Sequence, residues 1–99
     1  MIIATVASKH AIHDKLESQI KTAEAKLDTL KARAAAAKAN AEIKAIAELT
    51  VQKAKIHQKL EELKKAAEDR WENAKADLVL QIASFEKAVE GIEARLKAR

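Results

Sequence analysis

Apolar residues recur every three or four positions along almost the whole chain, from Ile2 to Leu96. This spacing places them on one face of an α-helix, because side chains at positions i, i+3, i+4 and i+7 lie on the same side of it. The chain contains no proline and one glycine, Gly91, so the residues that most often end a helix are nearly absent. The pattern predicts an all-α fold built from long amphipathic helices.

The line of apolar positions, which we call the seam, changes its period along the chain. From Ile2 to Ala41 its spacings alternate strictly between four and three residues. An average spacing of about 3.5 residues is typical of a left-handed coiled coil. Around Trp71 and again around Ile82, two successive spacings of four relax the period toward that of a straight helix. We predict that the seam packs against a partner helix, with these interface residues: Leu16, Ile20, Leu27, Leu30, Ile56, Leu60, Leu63, Trp71, Leu78, Ile82, Phe85, Val89 and Ile92.

Turns are predicted near three positions: 40, 50 and 68. Asn40 tolerates the left-handed conformation at a helix end, Thr50 could cap a second helix, and Asp69 with Glu72 matches a capping box. Local propensity favours a continuous helix at all three positions, whereas a hairpin gains from the high effective concentration of its tethered arms. Two architectures stay open, namely a continuous helix in a homo-oligomer and a two-helix hairpin.

The direction of the partner helix is predicted from side-chain size along the seam. Residues 32–41 include seven alanines, whereas the seam at Ile56, Leu60 and Leu63 is bulky. An antiparallel arrangement sets the small side chains against the large ones, and it pairs Leu27 with Trp71. A parallel dimer would stack alanine on alanine and lose buried apolar area. We therefore expect an antiparallel coiled coil.

Length and composition limit the chain to one small domain. At 99 residues with two aromatic side chains, it can build a thin helix-on-helix core, and we predict a single coiled-coil domain over residues 1–99. The apolar run at residues 1–7 is interpreted as the first helical turns or a frayed tail. Charged residues make up 34% of the chain, a composition typical of coiled coils rather than of disorder.

The net charge of +4 is spread evenly, because each half of the chain carries +2. Lysines and glutamates alternate along the surface, as in the pairs Glu17 with Lys21 and Glu61 with Lys65. Such a surface does not predict a specific nucleic-acid site. No stretch approaches the roughly 20 apolar residues that cross a bilayer, so we expect a cytoplasmic protein.

Several segments resemble a group of small bacterial coiled-coil proteins of uncharacterised function. The resemblance runs from Lys26 to about Gly91 and is carried by the Lys/Ala-rich run at 31–44, by 59–64, and by the Asp-x-Trp-Glu segment at 69–75. It implies a small coiled-coil protein and carries no active site.

One cluster of residues near the amino end has the spacing of metal ligands. His10 and Asp14 are four residues apart, as are His13 and Glu17, so each pair could hold one divalent ion through two ligands. A stable site needs three or four ligands, and we interpret these residues as ordinary polar positions on an exposed turn. His57, beside the seam residue Ile56, is interpreted as a partly buried histidine. We predict no metal and no cofactor.

Carboxylates are abundant at 61–62 and 68–69, but catalysis needs a pair held in a concave pocket. A rod of helices offers no such pocket, and Lys64 and Lys65 beside Glu61 and Glu62 are typical of a salt-bridged surface. We therefore predict that the protein is not an enzyme.

Three binding functions remain, of which a self-associating structural or protein-interaction module is preferred. The seam would hold the protein to itself, as a homo-oligomer, or to another coiled-coil protein. The wide apolar face from Leu78 to Ile92, with Lys75 and Arg95 nearby, supports an alternative in which the helix lies on a lipid or other hydrophobic surface. Weak association with nucleic acid is the third alternative. We expect no more than weak binding, because Trp71 and Phe85 belong to the seam and do not form a platform on which bases could stack.

Overall fold

The structure is a computed structural model that describes the backbone of residues 6–98 and the side chains of residues 9–98. It contains three helices: α1 at Val6–Ala36, α2 at Asn40–Lys65 and α3 at Glu68–Lys97. The predicted all-α fold is confirmed. The segment 1–7, interpreted above as helical or frayed, lies for the most part outside the described residues.

The three helices form an up-down-up bundle in which each helix packs against the other two. On α1, Lys9 lies beside Glu68 and Lys26 beside Glu93, so α1 and α3 run in the same direction. The middle helix runs the opposite way, because its Lys64 lies in one cleft with Lys9 of α1 whereas its earlier residue His57 contacts Glu24, further along α1. The bundle measures 54 × 19 × 15 Å.

The architecture is neither the continuous helix nor the two-helix hairpin expected from the sequence. The chain turns twice, near residues 38 and 66, and α2 runs straight through position 50. The Thr50 hydroxyl donates a hydrogen bond to the carbonyl oxygen of Ile46 in its own helix, so it does not cap a new one. A third helix allows each apolar stripe to be buried between two neighbours instead of against one, which a two-helix arrangement cannot achieve.

The predicted pairing of Leu27 with Trp71 is wrong. The ammonium group of Lys9 lies 5.4 Å from the centre of the Trp71 ring, and Leu27 lies about 27 Å further along α1 at 1.5 Å per residue. The prediction failed because it treated the alanine-rich segment as a stretch of helix whose small side chains pack against the large side chains of a partner helix. In the structure this segment contains a turn, at which Ala34 and Ala39 are buried while Ala37 and Ala41 are exposed.

The first turn, between α1 and α2, is a Schellman motif without glycine. The Lys38 amide donates to the carbonyl oxygen of Ala35 at 3.1 Å, and the Ala39 amide donates to that of Ala34 at 3.0 Å. This pair of bonds requires a left-handed residue between them, and Lys38 has φ of 54°. Ala34 and Ala39, both fully buried, supply the apolar contact that accompanies the motif.

The second turn, between α2 and α3, consists of two extended residues, Ala66 and Ala67. Their φ/ψ values are −66°/136° and −67°/156°. The predicted capping box does not form, because Ala67 occupies the N-cap position and no side chain caps the helix. Glu68 and Asp69 instead lie in the first turn of α3, where carboxylates interact favourably with the helix dipole.

Candidate functional site

The predicted interface residues all lie inside the bundle. Each of the thirteen is buried, and Ile20, Ile56, Leu78 and Phe85 are completely inaccessible to solvent. Together they form one continuous core that the three helices of a single chain enclose. The seam therefore exists as predicted, but in this structure its partner helices belong to the same chain.

The polar groups predicted near the amino end are separated by burial. His13 is buried, whereas His10 and Asp14 are exposed, and His13 Nδ1 lies 3.9 Å from the Asp14 carboxylate. Over the described side chains, no three His, Cys, Asp or Glu residues are arranged so that they could hold a metal ion. The structure does not bring Glu17 into a ligand set with the two histidines.

His57 and Lys59 of α2 each contact a carboxylate on a neighbouring helix. His57 Nε2 contacts the Glu24 carboxylate between α2 and α1, so this histidine has a carboxylate partner rather than an apolar environment. Lys59 Nζ lies 2.7 Å from Asp77 Oδ2 between α2 and α3. The hydrogen bond from Lys59 to Asp77 and the charge of that carboxylate raise the pKa of Lys59. The carboxylates at 61–62 and 68–69 are exposed and belong to different helices.

A cleft at the end of the bundle is lined by residues of all three helices, and its basic groups come from α1 and α2. We call it the end cleft; it has a volume of about 250 Å³ and is lined by Lys9, His10, His13, Lys64, Ala66 and Trp71. The first three residues come from α1, Lys64 comes from the last turn of α2, and Trp71 comes from the first turns of α3. None of the described residues that line the cleft is a carboxylate.

Two lysines flank the Trp71 ring beside this cleft. The ammonium groups of Lys9 and Lys75 each lie 5.4 Å from the ring centre, within the distance of a cation–π interaction. Trp71 itself is only 4% exposed, so its ring is a buried support for the lysines rather than a platform on which a ligand could stack. Both lysines also have carboxylate neighbours, since Lys9 Nζ is 3.1 Å from Glu68 and Lys75 Nζ is 3.5 Å from Glu72.

His13 contributes a buried nitrogen that has no hydrogen-bond partner. The residue is 6% exposed, and its Nε2 atom is the one inaccessible side-chain nitrogen or oxygen without a partner among the described side chains. Leaving a buried polar atom unpaired is destabilising by about 1–3 kcal/mol. Such an exception in an otherwise satisfied structure points to a functional position.

The sequence contains one signal for this cleft, which is the presence of polar residues at two seam positions. Lys9 and His13 occupy seam positions where apolar residues are expected. In the structure both lie level with Trp71 at the bundle end. Lys64 could not have been assigned to the cleft from the sequence, because it meets Lys9 and His13 only after the chain has reversed at the first turn.

Among the side chains that the structure describes, the large apolar ones outside the core are few and scattered. Ile43 and Val51 lie on α2, and Val79 and Leu80 lie on α3, where Leu80 is 70% exposed. The apolar face predicted for lipid contact is otherwise buried, since Leu78, Ile82, Phe85, Val89 and Ile92 all belong to the core. None of the helices in the described part of the chain is long and apolar enough to cross a membrane.

Comparison with protein families, with curated proteins and with solved structures finds no match to this chain.

Proposed function

We propose that this protein is a non-catalytic structural module of the cytoplasm that self-associates through its apolar seam. The seam of one chain is already covered by its own helices. Self-association through the same residues therefore requires two chains to exchange a helix, so that α1 of one chain packs against α2 and α3 of the other. Such an exchange keeps the contacts between the helices and replaces the first turn by a straight segment, with loss of the contact between Ala34 and Ala39.

The conformation of Lys38 is the observation that carries this proposal. Its φ of 54° lies in the left-handed region, which is unfavourable by about 1–2 kcal/mol for a residue with a Cβ atom. The residues around Lys38, at 34–37 and 39, are all alanine, and alanine has the highest intrinsic helix propensity of any residue type. Straightening this turn relieves the strain and joins α1 to α2 in one helix, and short strained hinges of this kind favour domain swapping.

The second turn gives less reason for exchange. Ala66 and Ala67 both have ordinary extended φ/ψ values, so straightening that turn relieves no strain. The proposal therefore specifies which helix is exchanged, namely α1 and not α3.

Two interhelical ion pairs in the native protein allow a direct test. A mixture of unlabelled and ¹⁵N-labelled protein is unfolded, refolded at high concentration and treated with a zero-length carbodiimide, which joins a lysine to a neighbouring carboxylate. Lys26 Nζ lies 3.9 Å from Glu93 and reports on α1 with α3, whereas Lys59 and Asp77 report on α2 with α3. If α1 is exchanged, some linked peptides of the Lys26 and Glu93 pair should join a labelled to an unlabelled chain (mixed label). Those of the Lys59 and Asp77 pair should come from one chain (single label).

The same experiment can contradict the proposal in two ways. Single-label products at both pairs, at every concentration, would mean that the chains do not exchange helices. Mixed label at the Lys59 and Asp77 pair would mean that α3 is exchanged at the second turn. Small-angle scattering provides an independent check, because a helix joining residues 6–65 would extend about 90 Å at 1.5 Å per residue, against the 54 Å length of the single-chain bundle.

A glycine substitution at the turn tests its cause. Lys38→Gly removes the strain of the left-handed conformation and lowers the propensity for a straight helix, so the dimer fraction measured by light scattering should fall. Lys44→Gly is the matched control, because it makes the same change at an exposed position inside α2. An equal fall in both variants would show that glycine acts through general helix stability, and would remove the assigned role of the turn.

A further inference from the structure

We propose that the end cleft binds the phosphate group of a small soluble ligand. This inference is independent of helix exchange, because the cleft is formed by α1 on one side and by α2 and α3 on the other in either arrangement. It concerns a binding site rather than assembly.

The charge of the lining residues selects an anion. Lys9 and Lys64 supply two ammonium groups, His10 and His13 supply two imidazoles, and the lining contains no carboxylate among the side chains at 9–98. A phosphate group presents several strong acceptor oxygens and satisfies such donors in charge-assisted hydrogen bonds. The volume of about 250 Å³ leaves room for a phosphate group and a small attached group.

The structure already contains a carboxylate at one part of this site. The Glu68 carboxylate lies 3.1 Å from Lys9 Nζ, with its side chain 72% exposed, so it reaches the lysine from outside the cleft. Exposed ion pairs of this kind contribute little to stability. A dianion in the cleft can therefore replace Glu68 as the partner of Lys9, and Glu68 competes with the ligand.

Trp71 and His13 fix the position of the site. The ring of Trp71 is buried and holds Lys9 through the cation–π contact, so this ammonium group is not free to move through solvent as an ordinary surface lysine does. His13 lines the cleft and is held by the core, and its buried Nε2 has no hydrogen-bond partner among the described side chains. Two of the four basic groups are thus preorganised, which reduces the entropy lost on binding.

Other carboxylates near the cleft limit its affinity. Asp14 lies 3.9 Å from His13 Nδ1, and Glu72 lies 3.5 Å from Lys75 Nζ. Neither belongs to the lining, but both reduce the positive potential around it. We therefore expect a dissociation constant of order millimolar for inorganic phosphate, which has no attached group to add contacts.

The test is a titration of ¹⁵N-labelled protein with inorganic phosphate at constant ionic strength, followed by NMR. The expected result is a saturable change confined to the His13 ring, the Trp71 indole and neighbouring amides. Lys9→Gln and Lys64→Gln should each weaken binding, whereas Lys44→Gln, with the same loss of charge at the other end of the bundle, should not. Linear shifts, or equal weakening by Lys44→Gln, would reduce the effect to general electrostatic attraction and overturn the site.

Glu68→Gln gives the most discriminating result, because a merely structural role of Glu68 predicts no gain. Removal of the competing carboxylate should tighten phosphate binding about two- to fivefold, the range that an exposed ion pair corresponds to. Unchanged or weaker binding by this variant would overturn the proposed competition and the site with it.

A second experiment, flotation with vesicles of phosphatidylcholine with and without phosphatidic acid, distinguishes a soluble phosphate from a lipid headgroup. No flotation is expected, and flotation that needs both phosphatidic acid and Lys64 would contradict the soluble source and assign the phosphate to a lipid headgroup.

Discussion

The two turns of this bundle solve the same problem in different ways. Both reverse a long helix with neither glycine nor proline, and alanines form most of each. The first turn uses one left-handed residue, Lys38, and two hydrogen bonds of the Schellman motif. The second uses two extended residues, Ala66 and Ala67, and no side-chain cap. One turn is strained and the other is not.

This difference shows that a helix can end where the core requires it, rather than where local residues favour it. After each turn, the apolar face of the next helix must again face the core. Ala34 and Ala39 are small enough to let the first turn lie against the core. Tertiary burial outweighs the strain at Lys38 because that strain amounts to about 1–2 kcal/mol, whereas a single buried leucine contributes about 1.5–3 kcal/mol.

The largest predicted effect is the difference in stability between proline substitutions at the two residues of the second turn. Ala66→Pro removes the hydrogen bond from the Ala66 amide to Leu63 and disfavours the helical conformation of Lys65, so it should lower the unfolding free energy by about 2–3 kcal/mol. Ala67→Pro fits the existing φ of −67°, and the ψ of 136° at Ala66 is compatible with a following proline. It should raise stability by about 0.4–1 kcal/mol through the unfolded chain. Urea unfolding of both variants measures the contrast, and equal destabilisation would mean that the turn is not extended.

The next effect concerns the apolar contact of the first turn. Ala34 and Ala39 are completely buried, so Ala39→Leu should overpack the turn and destabilise the fold by about 1–3 kcal/mol. The control is Ala37→Leu, two residues away at an exposed position of the same turn, for which we expect a change within about 0.5 kcal/mol. Thermal unfolding followed by circular dichroism compares them. A tolerated leucine at position 39 would show that the turn does not depend on close approach to the core.

A smaller effect measures the strain of the first turn directly. Lys38→Gly should stabilise the single-chain fold by about 0.5–1 kcal/mol, because the gain in the left-handed conformation exceeds the added entropy of the unfolded chain. Lys44→Gly, in the second turn of α2, should destabilise it by about 1 kcal/mol. Urea unfolding at low protein concentration, where exchange between chains is suppressed, gives both values. Destabilisation by Lys38→Gly would contradict the left-handed assignment.

The sequence predicted the core well because the seam is periodic. Every residue assigned to the interface is buried, from Leu16 to Ile92, since helical periodicity reports which face avoids water regardless of what covers it. The same periodicity does not say whether the covering helix comes from the same chain. The expected homo-oligomer therefore stays a prediction.

The turns and the end cleft were harder to predict for a physical reason. Asn40 looked like the left-handed residue, but the structure gives that role to Lys38 and makes Asn40 the first residue of α2. No local signal favours lysine there, because the conformation is imposed by the core contact of Ala39. The end cleft depends on the same tertiary geometry, since Lys9 and Lys64 meet only because the chain reverses at the first turn, and Trp71 joins them after the second.

The smallest predicted effect lies in the pair that braces α2 against α3 near the second turn. Because the hydrogen bond to Asp77 raises the pKa of Lys59 above its ordinary value, the pair stabilises the fold fully below the unfolded pKa of about 10.4. This stabilisation is lost as the pH rises through the higher pKa of the folded state. Lys59→Gln should therefore lower stability at pH 8, and the wild type should lose more stability than the variant as the pH passes above about 10.4. Lys55→Gln, an exposed lysine one turn earlier on the same helix, is the control and should retain the wild-type pH dependence. If Lys59→Gln and Lys55→Gln follow the same curve from pH 8 to 11, the brace contributes nothing, and the second turn is held by the core alone.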